Sequence, residues 1–268
     1  MQQIRAPAER AGGEGQPKGE WGSRAAALGG QVRHAASLFE SAAAVLPIDP
    51  RALEANRIVA WNKRDPRTAA FDMLRTKALR EMASHGWRSL AVTSPTDGCG
   101  KTTVAINLAL SIAQQGSPEV LLTDLDLRKP RLAACLGIEP KLDISAFLEG
   151  RGPLTSYLVS AGGARLWVLP NLGIRDNATE LLTQSAADAL FSGANVDATP
   201  RLRIYDLPPL LMTDDALAVL PRVDCALVVL GERVTKKSDV TDALRLLAGT
   251  NVLGVVLNMS RTEIVPYY

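Results

Sequence analysis

From about residue 66 onward, short aliphatic runs alternate with stretches of helical spacing. SLAVTS (89–94), EVLLTD (119–124), LWVLP (166–170), RLRIYD (201–206), CALVVLG (225–231) and VLGVVLN (252–258) read as strands. Runs this short, aliphatic nearly throughout and bounded by turn formers, suit strands buried on both faces. Between them, the stretch after Pro66 places Phe71, Leu74, Ala78 and Met82 on one helical stripe and offers Gly86 for a left-handed cap. Further helices are predicted over 102–115, 179–191 and 238–248. Strands alternating with helices of this length imply right-handed βαβ units. The expected fold class is therefore α/β: a mostly parallel sheet with helices on both faces, in one domain spanning residues 58–268.

The N-terminal part carries a different pattern. Residues 1–23 are rich in Gly, Pro, Gln and charge without periodicity, as a disordered segment would be. Residues 24–46 read as a weakly ordered linker or a broken Ala-rich helix interrupted at Gly29-Gly30, and Pro47 and Pro50 punctuate the chain just after it. Residues 1–57 are thus expected to be a disordered or weakly helical tail.

Composition supports this picture. Hydrophobic residues make up 47% of the 268 positions but aromatics only 4%, so Ala, Val and Leu must fill the core. A formal charge of +2 gives no electrostatic footprint for nucleic acid. Cys99, Cys135 and Cys225 show no paired spacing, which suits a reducing compartment. No apolar run approaches the roughly 20 residues that span a bilayer, and the N-terminus lacks a secretory apolar stretch, so a cytoplasmic protein is expected.

The chemistry concentrates in TSPTDGCGKTT (93–103), between an aliphatic strand and an amphipathic helix. Thr96, Asp97, Gly98, Cys99 and Gly100 form a small-residue turn whose amides can converge on a phosphate, and the helix beginning near Lys101 adds its positive end. In this phosphate-loop reading Lys101 reaches the β- and γ-phosphates of a nucleotide, Thr102 ligates Mg²⁺ and Thr103 bonds the α-phosphate. One departure is Pro95, where the usual pattern has the first glycine.

Two carboxylates, Asp124 and Asp126, stand at the carboxyl end of the second strand, where α/β sheets open their ligand crevice. Such a like-charged pair calls for a cation, and Mg²⁺ fits. Asp206 closes another aliphatic strand before the rigid Pro208-Pro209 turn, as a further magnesium-side carboxylate would. Asp214 and Asp215 on the next turn read as helix caps.

TSPTDGCGKTTVAINLA, VLLTDLDLRKP and IYDLPPLLMTDDA, in this order and approximate spacing, resemble the bacterial tyrosine kinases (BY-kinases), with smaller echoes in DISAFLEG, NATELL and LGVVLN. The resemblance covers roughly residues 60–260. It implies a P-loop fold related to the MinD and ParA ATPases and Mg-ATP-dependent tyrosine phosphorylation in capsule or exopolysaccharide synthesis. In that family the D-x-D-x-R segment, matched here by Asp124, Asp126 and Arg128, forms a second Walker motif whose carboxylates help hold Mg²⁺, and one of them accepts the tyrosine proton. By the same analogy Asn258 lies near the adenine. The implied partner is the cytoplasmic tail of a membrane polysaccharide chain-length or export protein, which would place the chain at the inner face of the membrane, with homo-oligomers also implied. The partitioning ATPases carry a signature lysine five residues before the loop lysine, where this chain has Thr96. The family's ring-forming Glu-Arg-Arg motif is reduced here to Arg75, with Ala69 and Asp72 at the other places. Family C-termini are phosphorylated tyrosine clusters; here Tyr267 and Tyr268 are either acceptors or a plain terminal stub. Two alternatives to a kinase remain: a MinD/ParA-like ATPase switch, and an ATP-binding regulator without catalysis.

Overall fold

The structure, a computed structural model, describes residues 44–163, 165–192 and 201–260. The predicted tail up to residue 43 lies outside the described residues. The elements are β1 (Ala44–Leu46), α1 (Pro50–Ala55), α2 (Thr68–His85), β2 (Ser89–Thr93), α3 (Lys101–Ala113), β3 (Glu119–Asp124), α4 (Leu132–Leu136) and α5 (Ile144–Leu148). They continue with β4 (Val159–Ala161), β5 (Leu166–Leu169), α6 (Ala178–Thr183), α7 (Ser185–Ser192), β6 (Arg201–Asp206), α8 (Asp215–Val219), β7 (Cys225–Gly231), α9 (Lys237–Leu246) and β8 (Val252–Asn258).

Eight strands form one sheet in the order β1-β4-β5-β3-β6-β2-β7-β8. Every pairing is parallel except β4 with β5. The period of two along each strand divides the core into two layers. Leu90, Val92, Val120, Leu122 and Ile204 face α2 and α3, while Ala91, Leu121 and Tyr205 face the side that holds Leu181, Leu190 and Ala243. Both faces are therefore covered, as the aliphatic runs require. The stripe on α2 packs as expected, with Leu74, Ala78 and Met82 buried, Phe71 partly so, and Gly86 closing the helix at φ 70°. The predicted helix over 179–191 is two helices, because Gln184 takes an extended conformation between them.

The ordered fold also reaches further toward the N-terminus than the expected boundary at residue 58. Ala44–Leu46 pairs with β4 as an edge strand and is not the end of a helix. Leu53 of α1 is buried in the core. The same segment rests on the end of α4, where Gly137 has φ 64° and an added Cβ would lie 2.5 Å from Cβ of Asp49. Only glycine permits both the conformation and the approach.

α3 runs beneath the sheet with all but one of its residues buried. Its one amide side chain, Asn107, is fully buried and joins the preceding segment to the helix. Its oxygen accepts from Val59 N (2.7 Å) and Ala60 N (2.9 Å), and its Nδ2 donates to Arg57 O (3.1 Å) and Thr103 O (2.8 Å). Asn107→Ala leaves two buried peptide N–H groups without acceptors, so a loss of roughly 2–4 kcal/mol is expected in urea unfolding. A change below about 0.5 kcal/mol, the range of ordinary surface substitutions, would contradict this role.

Candidate functional site

β2 lies between β6 and β7, and its carboxyl end feeds the glycine-rich turn into α3. The turn is held by its own polar groups. Thr93 Oγ1 donates to Pro208 O (2.8 Å), Ser94 Oγ to Thr96 O (2.7 Å) and Gly98 N to Asp97 Oδ1 (2.9 Å). Cys99 Sγ bonds Thr96 O (3.2 Å) and sits 3.3 Å from Thr235 Oγ1. Asn258, at the end of β8, donates to Cys99 O at 2.9 Å. Gly100 caps α3 at φ 81°, and a Cβ there would lie 2.4 Å from Asn258 Nδ2. The loop and β8 therefore meet through a position where no side chain fits.

At the start of α3 the three sequence-predicted side chains diverge. Lys101 is buried, with its ammonium 2.7 Å from Asp126 Oδ2 and 4.0 Å from Asp206 Oδ1. Thr102 Oγ1 donates to Asp206 Oδ2 at 2.6 Å. Thr103 turns toward the end of α1, with Oγ1 at 3.5 Å from Asn56 O.

The three aspartates occupy neighbouring positions by register, since Asp124 of β3 stands opposite Asp206 of β6. Their partners differ. Asp124 is wholly enclosed: Oδ1 accepts from Asp126 N (3.2 Å), and Oδ2 accepts from Arg131 N (3.2 Å) and Leu132 N (3.0 Å). Both of its oxygens are thus committed to peptide groups. Asp126 accepts from Lys129 N (3.0 Å) through Oδ1 and turns Oδ2 toward Lys101. Asp206 keeps one buried oxygen, Oδ1, with no hydrogen-bond donor.

Among the described residues no three His, Cys, Asp or Glu side chains converge as metal ligands would. The expected set of Thr102, Asp124, Asp126 and Asp206 is narrowed by geometry to a hydroxyl–carboxylate pair. That pair still fits magnesium, which keeps several waters and takes one or two protein oxygens beside phosphate oxygens. The donorless oxygen of Asp206 is the kind of buried group that calls for a missing cation.

Burial dominates the electrostatics. It pushes Asp124 well above the usual carboxylate range, reinforced by the charge of Asp206 and only partly offset by Leu132 N. It also raises Asp206, against the opposing pull of Lys101 and the Thr102 hydroxyl. For Lys101 burial acts downward, but Asp206 and Asp126 outweigh it and hold the ammonium firmly charged. Across the mouth of the loop, Lys129 Nζ reaches Asp97 Oδ2 at 2.5 Å, a largely exposed pair.

Two predicted caps have another role. Asp214 stands at the N-cap position of α8 but makes no capping bond there; its Oδ1 accepts from Thr179 Oγ1. Asp215 is fully buried and takes both hydrogen bonds of the Arg128 guanidinium, Nε at 2.7 Å and Nη2 at 3.2 Å. The signal in the sequence was Arg128 itself, an arginine two residues beyond Asp126, but its partner lies 87 positions away. Arg75 is turned inward onto Asp72 (2.6 Å) and Ser111 Oγ (2.9 Å). Tyr267 and Tyr268 lie outside the described residues.

Together the parallel sheet, the glycine-rich turn and the lysine at the helix start define a P-loop nucleotide-binding fold. Residues 90–264 match the model of the CobQ/CobB/MinD/ParA nucleotide binding domain. Tyrosine-protein kinase YwqD of Bacillus subtilis (strain 168) is 28% identical over 208 residues, covering 77% of this chain and 86% of that protein. Tyrosine-protein kinase CpsD of Streptococcus pneumoniae serotype 4 is 30% identical over 178 residues, covering 63% and 74%. The solved kinase domain of Escherichia coli tyrosine kinase ETK superposes with a TM-score of 0.67 at 29% identity, over 77% of this chain and 82% of that one. The chain belongs to the CobQ/CobB/MinD/ParA nucleotide-binding family, on the branch of the bacterial tyrosine-protein kinases. It spans only 27% of full-length Etk of E. coli K12.

The raised position of Asp206 carries a testable sign. A carboxyl whose folded-state pKa lies above its unfolded one destabilises the fold once it ionises, and the penalty vanishes as pH falls through the folded pKa toward 3.8. Asp206→Asn retains an acceptor for Thr102 and removes the buried charge. The nucleotide-free variant is expected to be more stable than the wild type near neutral pH, with the gap closing under acid, in urea unfolding across pH. A wild type that is the more stable at neutral pH would contradict this.

Proposed function

We propose that this chain is a magnesium- and ATP-dependent protein-tyrosine kinase. The observation that carries the reading is the Lys101 ammonium poised between Asp126 and Asp206, beside a Thr102–Asp206 pair with one carboxylate oxygen unserved. In this reading the amides of residues 96–103 cradle the phosphates, Lys101 exchanges Asp126 for β- and γ-phosphate oxygens, and Asn258 borders the base. Thr102 and Asp206 are the side chains that would hold magnesium, with Asp124 and Asp126 behind them; when bound, the ion supplies neutralisation of phosphate charge. Asp126, freed from Lys101, would orient the phenol and accept its proton as the phenolic oxygen attacks the γ-phosphorus and ADP departs. Asp124 suits that step less well, since both of its oxygens are engaged by peptide N–H groups. The transition state for such transfer is loose, so alignment and charge neutralisation account for most of the catalysis.

The acceptor is narrowed by burial. The chain has four tyrosines. Tyr157 and Tyr205 are buried, and their hydroxyls donate to Arg151 O and Leu190 O. Neither presents an oxygen to a nucleotide without unfolding, which leaves Tyr267, Tyr268 or a tyrosine on another protein. No helix among the described residues is long and apolar enough to cross a membrane. By likeness to the bacterial tyrosine kinases, the reading puts the chain in the cytoplasm, brought to the membrane's inner face by the tail of a polysaccharide chain-length or export protein whose assembly it regulates.

One observation favours a second reading, an ATP-binding regulator that does not phosphorylate. Arg75, the remaining member of the ring motif, is 11% exposed and engaged internally, so it offers little to a neighbouring copy. An ATPase switch of the partitioning type is disfavoured by Thr96, which supplies no cation where that class has its signature lysine.

Labelling with [γ-³²P]ATP and magnesium separates these readings. Phosphotyrosine is expected on the wild type, reduced about 10²–10³-fold by Lys101→Met. It is expected to persist in Tyr157→Phe and to vanish from a Tyr267→Phe/Tyr268→Phe double variant that still phosphorylates a tyrosine-containing peptide. Undiminished labelling of Lys101→Met, or nucleotide binding without phosphotyrosine under activation by the membrane protein's tail, would overturn the kinase reading.

A further inference from the structure

Sequence alone places Arg128 in the D-x-D-x-R segment without giving its guanidinium a task. The structure gives it one. Arg128 Nε and Nη2 both bond Asp215 at 2.7 and 3.2 Å, in the fork geometry that only arginine supplies. Asp215 is fully buried at the start of α8, and Thr179 of α6 also donates to it. Burial alone would raise this carboxyl, yet Arg128, Thr179 and Thr213 together hold it below the usual range.

What the pair connects is more telling than its strength. The segment that follows Asp206 is already stitched to the glycine-rich turn, by Leu207 N to Val92 O (3.0 Å), Leu210 N to Ser94 O (2.8 Å) and Leu211 N to Pro95 O (3.1 Å). The loop carrying Asp126 is fixed at Leu127 O by Arg175 N (2.9 Å) and at its far end by the Asp124 carboxylate. Arg128–Asp215 is the side-chain tie from the Asp126 loop to the Asp206 segment. With the backbone bond from Leu125 N to Asp206 O (2.9 Å) on the strand side, this tie holds the two aspartates flanking Lys101 at a set spacing.

We infer that Arg128 and Asp215 form a latch that positions Asp126 against Lys101 and Asp206, so that both are positioning residues and Arg128 is not a phosphate ligand. The inference deepens the kinase reading and rests on it for its catalytic consequence; its structural consequence does not. Displacing a proton acceptor by about 1 Å typically lowers turnover about 10²-fold while leaving groups elsewhere in contact with substrate. The expected signature is thus a loss in kcat without a loss of nucleotide affinity.

The test uses Arg128→Lys, which keeps the charge but not the fork, and Asp215→Asn, which removes the charge. Since either variant can lose stability, thermal unfolding is measured beside two other readouts. The first is hydrogen exchange over residues 124–132 in the nucleotide-free chain, where the amides of Asp126, Lys129, Arg131 and Leu132 all donate to Asp124 or Asp126. The second is kcat for tyrosine phosphorylation together with Kd for Mg-ADP. The latch requires faster exchange in this segment, kcat lower by about 10–100-fold and Mg-ADP affinity within about twofold of the wild type, with Arg128→Lys the milder change. Mg-ADP affinity reduced about tenfold or more with unchanged exchange would make Arg128 a phosphate contact and overturn the latch. A lowered melting temperature with unchanged exchange and kcat would make the pair merely structural, and overturns it equally. Should the wild type give no phosphotyrosine, the kinase reading fails, while the exchange comparison still decides whether the pair restrains this loop.

Discussion

The structure depends on how one buried ammonium is balanced. Lys101 sits at the first position of α3, screened from water, with Asp126 in contact, Asp206 within 4.0 Å and Asp124 behind them. Three carboxylates face one ammonium in a low-dielectric site, and burial pushes protons toward Asp124 and Asp206, with the charge of Asp206 adding to it at Asp124 and Lys101 opposing it at Asp206. Taking several charges out of water is costly unless each is paired and hydrogen-bonded. The arrangement suits a ligand that brings anionic oxygens for Lys101 together with a metal for the carboxylates, which is what a magnesium nucleotide is.

The sheet makes that balance possible. Parallel strands deliver all their carboxyl ends to one edge, and the order β3-β6-β2 sets Asp124, Asp206 and the glycine-rich turn side by side. Once the edge is built, peptide groups do most of the holding. Asp124 spends its oxygens on three N–H groups, Asn258 grips the turn at Cys99 O, and Asn107 anchors the residues that run over α3.

Much of this was legible in the chain because the relevant signals are local. The strands ending at Asp124, Asp206, Gly231 and Asn258 have the bounds their aliphatic runs suggested; in β3 and β7 that run reflects burial on both faces, whereas β8 is an edge strand with Val252, Val255 and Leu257 exposed. The glycine-rich turn and α3 are equally plain. β1 and β4 escaped notice because three residues are too few to show a period, and β1 is set only by pairing with β4, far along the chain. Within the site, residue types were readable and assignments were not. Nothing in LLTDLDLRKP distinguishes Asp124, turned into peptide hydrogen bonds, from Asp126, turned toward Lys101. Asp215 looked like a helix cap because its arginine is remote in sequence, and only the meeting of two strand ends brings them together.

The most direct test of the charge-balance account is calorimetric titration of the nucleotide-free protein with ADP, with and without magnesium. Lys101 exchanging a carboxylate for phosphate, with Thr102 and Asp206 taking up the ion, requires saturable binding that strengthens markedly when magnesium is present. A well-folded protein that takes up ADP with no dependence on magnesium, or not at all, would contradict the account at its centre.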